Sequence, residues 1–173
     1  MEQVYLTATD AQLAQDRVDT LVREHQMKLA RYVRRMVGDA DIALDIAQDV
    51  FFAAYRTLRA DPARPLTAGW LYKTATNTAI SHLRRKKIVR FLSLDRDADL
   101  RSLRIDERSA ASIDLQAAIA KIPPEQAAAI MLTSYAGYSS QEAAAVLGTS
   151  ADAVRQRVCR AMRTLRAAMT EHS

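Results

Sequence analysis

The chain has 173 residues, 49% of them hydrophobic and 26% charged, which excludes an unfolded polar tail and allows one ordinary domain or two small ones. Only 4 Gly and 4 Pro are present, too few for the turns of an all-β chain, and the abundant Ala, Leu, Arg, Gln and Glu make the class all-α. The net charge of +5 and sequence pI of about 9.6 suit a polyanionic partner. A single Cys159 excludes an internal disulfide framework, no apolar run reaches the roughly 18 residues of a membrane span, and the polar amino terminus is unlike a signal peptide. The expected location is the cytoplasm.

Residues 1–17 are expected to be an N-terminal extension. From about 18 to 37, Leu21, His25, Leu29, Tyr32, Val33 and Met36 recur at spacings of three and four and predict a helix with one apolar face. Gly38 and Asp39 supply a stop and a new N-cap. A second helix, about 40 to 59, places Ile42, Ile46, Val50 and Ala54 inward, with Phe51, Tyr55 and Leu58 widening the stripe. Opposite that stripe Asp41, Asp45 and Asp49 recur every four residues with Gln48 beside them. Like charges at this spacing cost a few tenths of a kcal/mol, and an acidic strip repels DNA, so it suggests a basic protein partner. No His or Cys joins these carboxylates, so neither a metal site nor acid/base chemistry is expected.

The prolines of "ADPARP" (60–65) break the helix. A third helix, from about Thr67 to Arg90, turns Leu71, Ala75, Ala79 and Leu83 inward, with Tyr72 beside them. Trp70, Lys73, Asn77, Ser81 and Arg84 share its other side, and Arg85, Lys86, Lys87 and Arg90 extend the charge. An aromatic, an amide and cations along one line suit single-stranded DNA. On the residues alone, Trp70 reads equally well as core.

Residues 92–112 alternate charges without an apolar stripe and read as a linker; the alternative is a solvated helix. Beyond them "IDLQAAIAKI" is amphipathic, Pro123–Pro124 ends it, and "EQAAAIMLTSYA" runs to a break at Gly137. Ser139 with Glu142, and Thr149 with Asp152, have capping-box spacing. Between them lies one short helix closed by Gly148, and a longer helix then runs to about Ala168. This pair is a helix-turn-helix. In the last helix Val154, Val158, Ala161 and Leu165 face inward, leaving Gln156, Cys159, Arg160 and Arg163 outward, flanked by Arg155 and Arg166. Arg and Gln are side chains that read base edges and grip phosphates. The bland alternative, a solvated Arg-rich helix, fits the charge but not the capped helix upstream.

In order and spacing, "DIALDIAQDVFFAAYRTL", "AGWLYKTATNTAISHLRRKK" and "IPPEQAAAIMLTSYAGYSSQEAAAVLGTSADAVRQRVCRAMRTLR" resemble extracytoplasmic-function sigma factors of the sigma-70 family of bacterial RNA polymerase. The resemblance covers about residues 18 to 168. It implies two small helical domains: σ2, a three- to four-helix bundle over 18–91, and σ4, a helix-turn-helix domain over 113–173, joined by the charged linker. It implies a promoter-selecting subunit, not an enzyme, with no cofactor and no small-molecule substrate. Its implied partners are core RNA polymerase, at the clamp helices of the largest subunit and the flap region, promoter DNA, and an anti-sigma factor. By the same resemblance, Asp45, Gln48, Asp49 and Phe51 dock on the clamp helices. The loop from Ala60 to Thr67 captures an unstacked −10 base together with Asn77, and Trp70, Lys73, Arg84, Arg85, Lys86 and Lys87 hold the melted strand and adjacent duplex. Arg155, Gln156, Cys159, Arg160 and Arg163 serve the −35 element. The chain departs from the family pattern at Ala127, Pro65–Leu66 and Cys159, which bears on promoter sequence and not on fold. A stand-alone helix-turn-helix regulator explains the second domain but not the acidic strip.

Overall fold

The structure, a computed structural model, describes residues 8–93 and 117–170, all helices and their connections. Helices α1 (Ala8–Val37), α2 (Ala40–Ala60) and α3 (Ala68–Ser93) form the first half. The second half holds α4 (described over 117–121), α5 (Pro124–Ile130), a π-helical turn (Met131–Tyr135), α6 (Ser140–Leu147) and α7 (Ala151–Thr170). The expected linker over 92–112 lies outside the described residues after Ser93, with which α3 ends.

The first bundle forms as its sequence dictates. Gly38 takes φ 80° and donates its N–H to the Arg34 carbonyl at 2.9 Å, closing α1. Asp39 then caps α2, its carboxylate accepting from the backbone of Asp41 at 2.9 Å and Ile42 at 3.0 Å. A cap of this kind contributes about 1 kcal/mol. Leu29, Val33, Met36, Ile46, Val50, Ala54, Leu71, Ala75 and Ala79 are buried in one core. Within it the Tyr32 hydroxyl and Thr76 share a 2.7 Å hydrogen bond. Burial drives the Tyr32 pKa well above its ordinary value, the Thr76 bond opposing it, so the phenol stays neutral. Thr76 is fully buried, and that bond meets the need of its hydroxyl.

Helix α1 starts ten residues before the expected 18, at Ala8. The reason is a satellite core: Ala14 and Val18 bury against Leu58, with Val22, Tyr55 and Leu66 packed around them. This stripe continues the apolar face toward the amino terminus with small residues.

In the second half, Ser139 and Glu142 form the expected capping box, with bonds of 3.2 and 2.7 Å. The Ser139 hydroxyl and backbone hold the Glu142 carboxyl below its ordinary pKa. Gly148 closes α6 in the left-handed region at φ 61°. The start of α7 differs from expectation by one residue. Ser150, not Thr149, accepts from the Ala153 backbone at 3.1 Å, and Asp152 pairs forward with Arg155 instead of reaching back. The helix "EQAAAIMLTSYA" is also not uniform. After Ile130 it widens into the π turn, with the Ala136 N–H bonding the Met131 carbonyl at 2.9 Å. The Thr133 hydroxyl donates to the Ala129 carbonyl at 2.9 Å, a back-bond that loosens the α ladder there.

The two halves share a continuous core and pack along α3. The Tyr72 ring lies 5.0 Å from Tyr32 and 5.6 Å from Tyr138, centroid to centroid. Arg35 sits 4.6 Å over the Tyr135 ring.

Candidate nucleic-acid interface

Helix α7 is fixed by its inner side. Val154, Ala161 and Leu165 are buried, with Val158 half-buried. Arg155, Gln156, Cys159, Arg160 and Arg163 are all exposed, so the five residues expected on the reading face are brought onto one accessible side. Helix α6 and the three-residue connection Gly148–Ser150 hold α7 against the core, the arrangement that presents a helix to a major groove. Arg155 is not independent. Its guanidinium bonds the Asp152 carboxylate one turn earlier. Arg157, which the periodicity leaves between the two sides, is half-buried.

Along α3 the expected line divides. Lys73, Asn77 and Ser81 are exposed, as are Arg84, Arg85, Lys86 and Lys87. Trp70 is half-buried and packs against the core, as its core reading expects. Its backbone N–H donates to the Thr67 carbonyl at 3.0 Å, fixing the start of α3 directly after the loop. Within that loop Asp61 forms a tight turn, accepting from Ala63 through its side chain and from Arg64 through its carbonyl, both at 3.1 Å.

Arg84 reaches across to the second half. Its Nε donates to Glu125 at 2.9 Å and an Nη to the same oxygen. Burial raises the Glu125 pKa, but the Arg84 hydrogen bonds and the charges of Arg84 and Arg157 outweigh it, leaving the carboxyl below its ordinary value. A carboxyl depressed in the fold stabilises above its unfolded pKa, and that stability is lost as pH falls through the folded value. The pair is partly solvated, so the effect is small. We expect the stability difference between wild type and Glu125→Gln to be present at pH 7 and to vanish on acidification through the lowered folded value, as urea titrations at each pH will report. A difference constant over that range removes the ion pair from the account. His82 moves in the same sense: burial, then Lys86 and Arg85, lower its pKa.

Helix α2 presents the opposite charge. Asp41, Asp45, Gln48 and Asp49 are exposed, as expected. Phe51, which the resemblance implies among them and the apolar stripe places inward, is 7% exposed and belongs to the core. Its neighbour Phe52 is 59% exposed, with Arg56 5.1 Å over its ring. At about 100° per residue Phe52 falls in the middle of the acidic strip, so the periodicity held the signal for it. Leu44 is exposed on the same strip. The surface is acidic with two apolar points, a pattern suited to a basic protein partner. No local pattern could have found Glu125, whose partner lies 41 residues away.

Comparison with known proteins gives the same layout. The pattern of Sigma-70 region 2 matches residues 21–88, and that of Sigma-70 region 4 matches residues 112–165. The ECF RNA polymerase sigma factor SigE of Mycolicibacterium smegmatis is 33% identical, aligned over 96% of this chain and 66% of its own length. The solved structure of CnrH in complex with the cytosolic domain of CnrY is 30% identical, with a TM-score of 0.66 over 95% of this chain and 99% of that one. The sigma factor RpoE in complex with the anti-sigma factor NepR from Bartonella quintana shares the fold at 22% identity, TM-score 0.68, over 88% of this chain and 96% of that chain.

Proposed function

The chain belongs to the extracytoplasmic-function sigma factors of the sigma-70 family, and we propose that it directs core RNA polymerase to promoters through two DNA-reading surfaces and one docking surface. The carrying observation is the sorting of charge: α7 and α3 expose Arg, Lys, Gln and Asn, while α2 exposes Asp beside Phe52 and Leu44. A stand-alone regulator has no use for the third surface.

Core polymerase alone binds DNA by charge and without sequence choice. This subunit adds choice by reading two short elements at once. Gln156 and Arg160, with Arg155 and Cys159, meet base edges of the −35 element in the major groove, while Arg163 lies nearer the backbone. The loop 60–67 and Asn77 take up an unstacked −10 base, and Lys73 with the Arg84–Lys87 cluster grips phosphates of the melted strand. Unstacking costs a few kcal/mol, offset by the pocket that receives the base. Arg84 must exchange Glu125 for phosphate to take part. Asp45, Gln48 and Asp49, with Phe52 in place of the buried Phe51, dock on the clamp helices of the largest subunit, and the second domain meets the flap region. The chain itself does no catalysis. Two solved relatives carry a bound protein, CnrY on CnrH and the anti-sigma factor NepR on RpoE, and an anti-sigma factor is the expected partner in the silent state. A cytoplasmic location suits such partners, and among the described residues no helix is long and apolar enough to cross a membrane.

Run-off transcription with reconstituted holoenzyme tests the strand-reading surface. Asn77→Ala is expected to leave core binding unchanged and to lower transcription from duplex promoters with a defect tied to one −10 position, about 1–3 kcal/mol. A uniform loss across all −10 variants, or a loss of fold stability, removes Asn77 from base reading.

A further inference from the structure

The amino-terminal half of α1 lies before the matched Sigma-70 region 2, which begins at residue 21, yet it is tied to the loop proposed to receive the −10 base. Arg17, half-buried on α1, spreads its guanidinium over two carbonyls of that loop. One Nη donates to Pro62 and the other to Arg64, the latter at 2.9 Å. A planar guanidinium with its donors in a fixed fork sets two acceptors relative to each other, whereas the freely rotating donors of a lysine ammonium fix no such geometry. The Asp61 turn, bonding Ala63 and Arg64, folds the intervening backbone between those two carbonyls. On either side of the fork the loop is also anchored by apolar contact. Leu58, before it, is buried with Ala14 and Val18 of α1, and Leu66, at its far end, packs on the same cluster.

We infer that residues 8–20 of α1 are a brace for the −10 loop, with Arg17 as the positioning residue that fixes the backbone of residues 62–64 for base discrimination. The inference rests on the reading of that loop as the −10 pocket. A loop that contains Pro62 and Pro65 and makes few backbone bonds of its own would otherwise sample several shapes. Each ordering step would then fall on the encounter with the base, weakening right and wrong bases alike and blurring the difference between them. With the fork in place the loop is set before DNA arrives. Arg17 touches no base in this scheme; it acts through the loop backbone.

The test uses full-length protein reconstituted with core polymerase and a library of −10 variants on duplex and on pre-melted templates. Three proteins are compared with wild type: Arg17→Ala, Arg17→Lys, and a chain with residues 62–65 replaced by Gly-Ser-Gly-Ser. Arg17→Ala is expected to lower discrimination at one −10 position roughly fivefold or more on both templates, with core affinity and −35 preference as in wild type. Arg17→Lys keeps the charge and the packing of the stem but loses the rigid fork that fixes both carbonyls, so it is expected to show the same position-specific loss. It carries the test if Arg17→Ala does not fold. Unchanged discrimination in folded Arg17 variants, with a loss in the loop replacement, overturns the brace and leaves the loop as the reader. No change in any of the three overturns the loop reading itself, and the brace with it. A loss spread equally over −10 and −35 positions also overturns the inference, since it marks a general loss of structure.

Discussion

The double substitution Asp45→Arg with Asp49→Arg is expected to abolish binding to core polymerase while leaving the helix content unchanged. Both carboxylates are exposed on α2 and one turn apart, so their replacement disturbs no buried contact. The substitution sets cation against cation at the proposed clamp-helix interface. Losing one partner of a desolvated charge pair costs about 2–5 kcal/mol, and inverting the sign adds repulsion to that loss. Circular dichroism establishes the fold and titration of labelled protein with core polymerase gives the affinity. Unchanged affinity in the folded double variant would place the docking surface elsewhere. Because Phe52 lies among these carboxylates and Phe51 does not, Phe52→Ala should weaken docking by itself and is the natural companion measurement.

The second large effect concerns α7. Gln156→Ala or Arg160→Ala is expected to cost about 1–3 kcal/mol and to relax preference at particular −35 positions. Arg163→Ala is expected to weaken binding to every sequence about equally and to flatten the salt dependence by about one unit of slope. The difference follows from place along the helix. The amino-terminal half of a recognition helix lies deepest in the groove, and Arg163 follows Arg160 by nearly a full turn. Binding to randomised duplexes at two salt concentrations separates the two signatures. If all three substitutions behave alike, the helix is an electrostatic clamp and not a reader.

The helices and most of their ends were legible in the sequence because local chemistry decides them. Asp39, the Ser139–Glu142 box and Gly148 each act within four residues, and the apolar stripes repeat within each helix. Two expectations choose between adjacent residues: the capping-box spacing takes Thr149, and the family resemblance takes Phe51 for docking although the apolar stripe places it inward. Thr149 and Ser150 are both good caps, and Phe51 and Phe52 are both aromatic. The first choice fell to Ser150, with Val154 buried in the core, and the second followed the arc of α2 that faces the core. The outward side of α7 was legible, since five exposed residues follow once the inward ones are assigned. What joins distant stretches was not. The Arg84–Glu125 pair, the Arg17 fork and the Tyr32–Tyr72–Tyr138 contacts connect residues far apart in the chain and leave no periodic trace. The π turn was also invisible, because one extra residue in a wind changes no composition.

That turn limits how the chain can vary in length. An α-helix advances about 100° per residue, so the additional residue in Met131–Tyr135 acts as a phase correction between α5 and the tyrosines that follow it. With the correction in place Tyr135 meets Arg35 and Tyr138 meets Tyr72. Substitutions there can be absorbed one side chain at a time. A single-residue deletion cannot, because it would rotate the following segment by more than a quarter turn and set the contacts of α7 with α5 against those of the tyrosines with α1 and α3. Residues 131–135 are therefore a stretch whose count, more than its identity, is fixed.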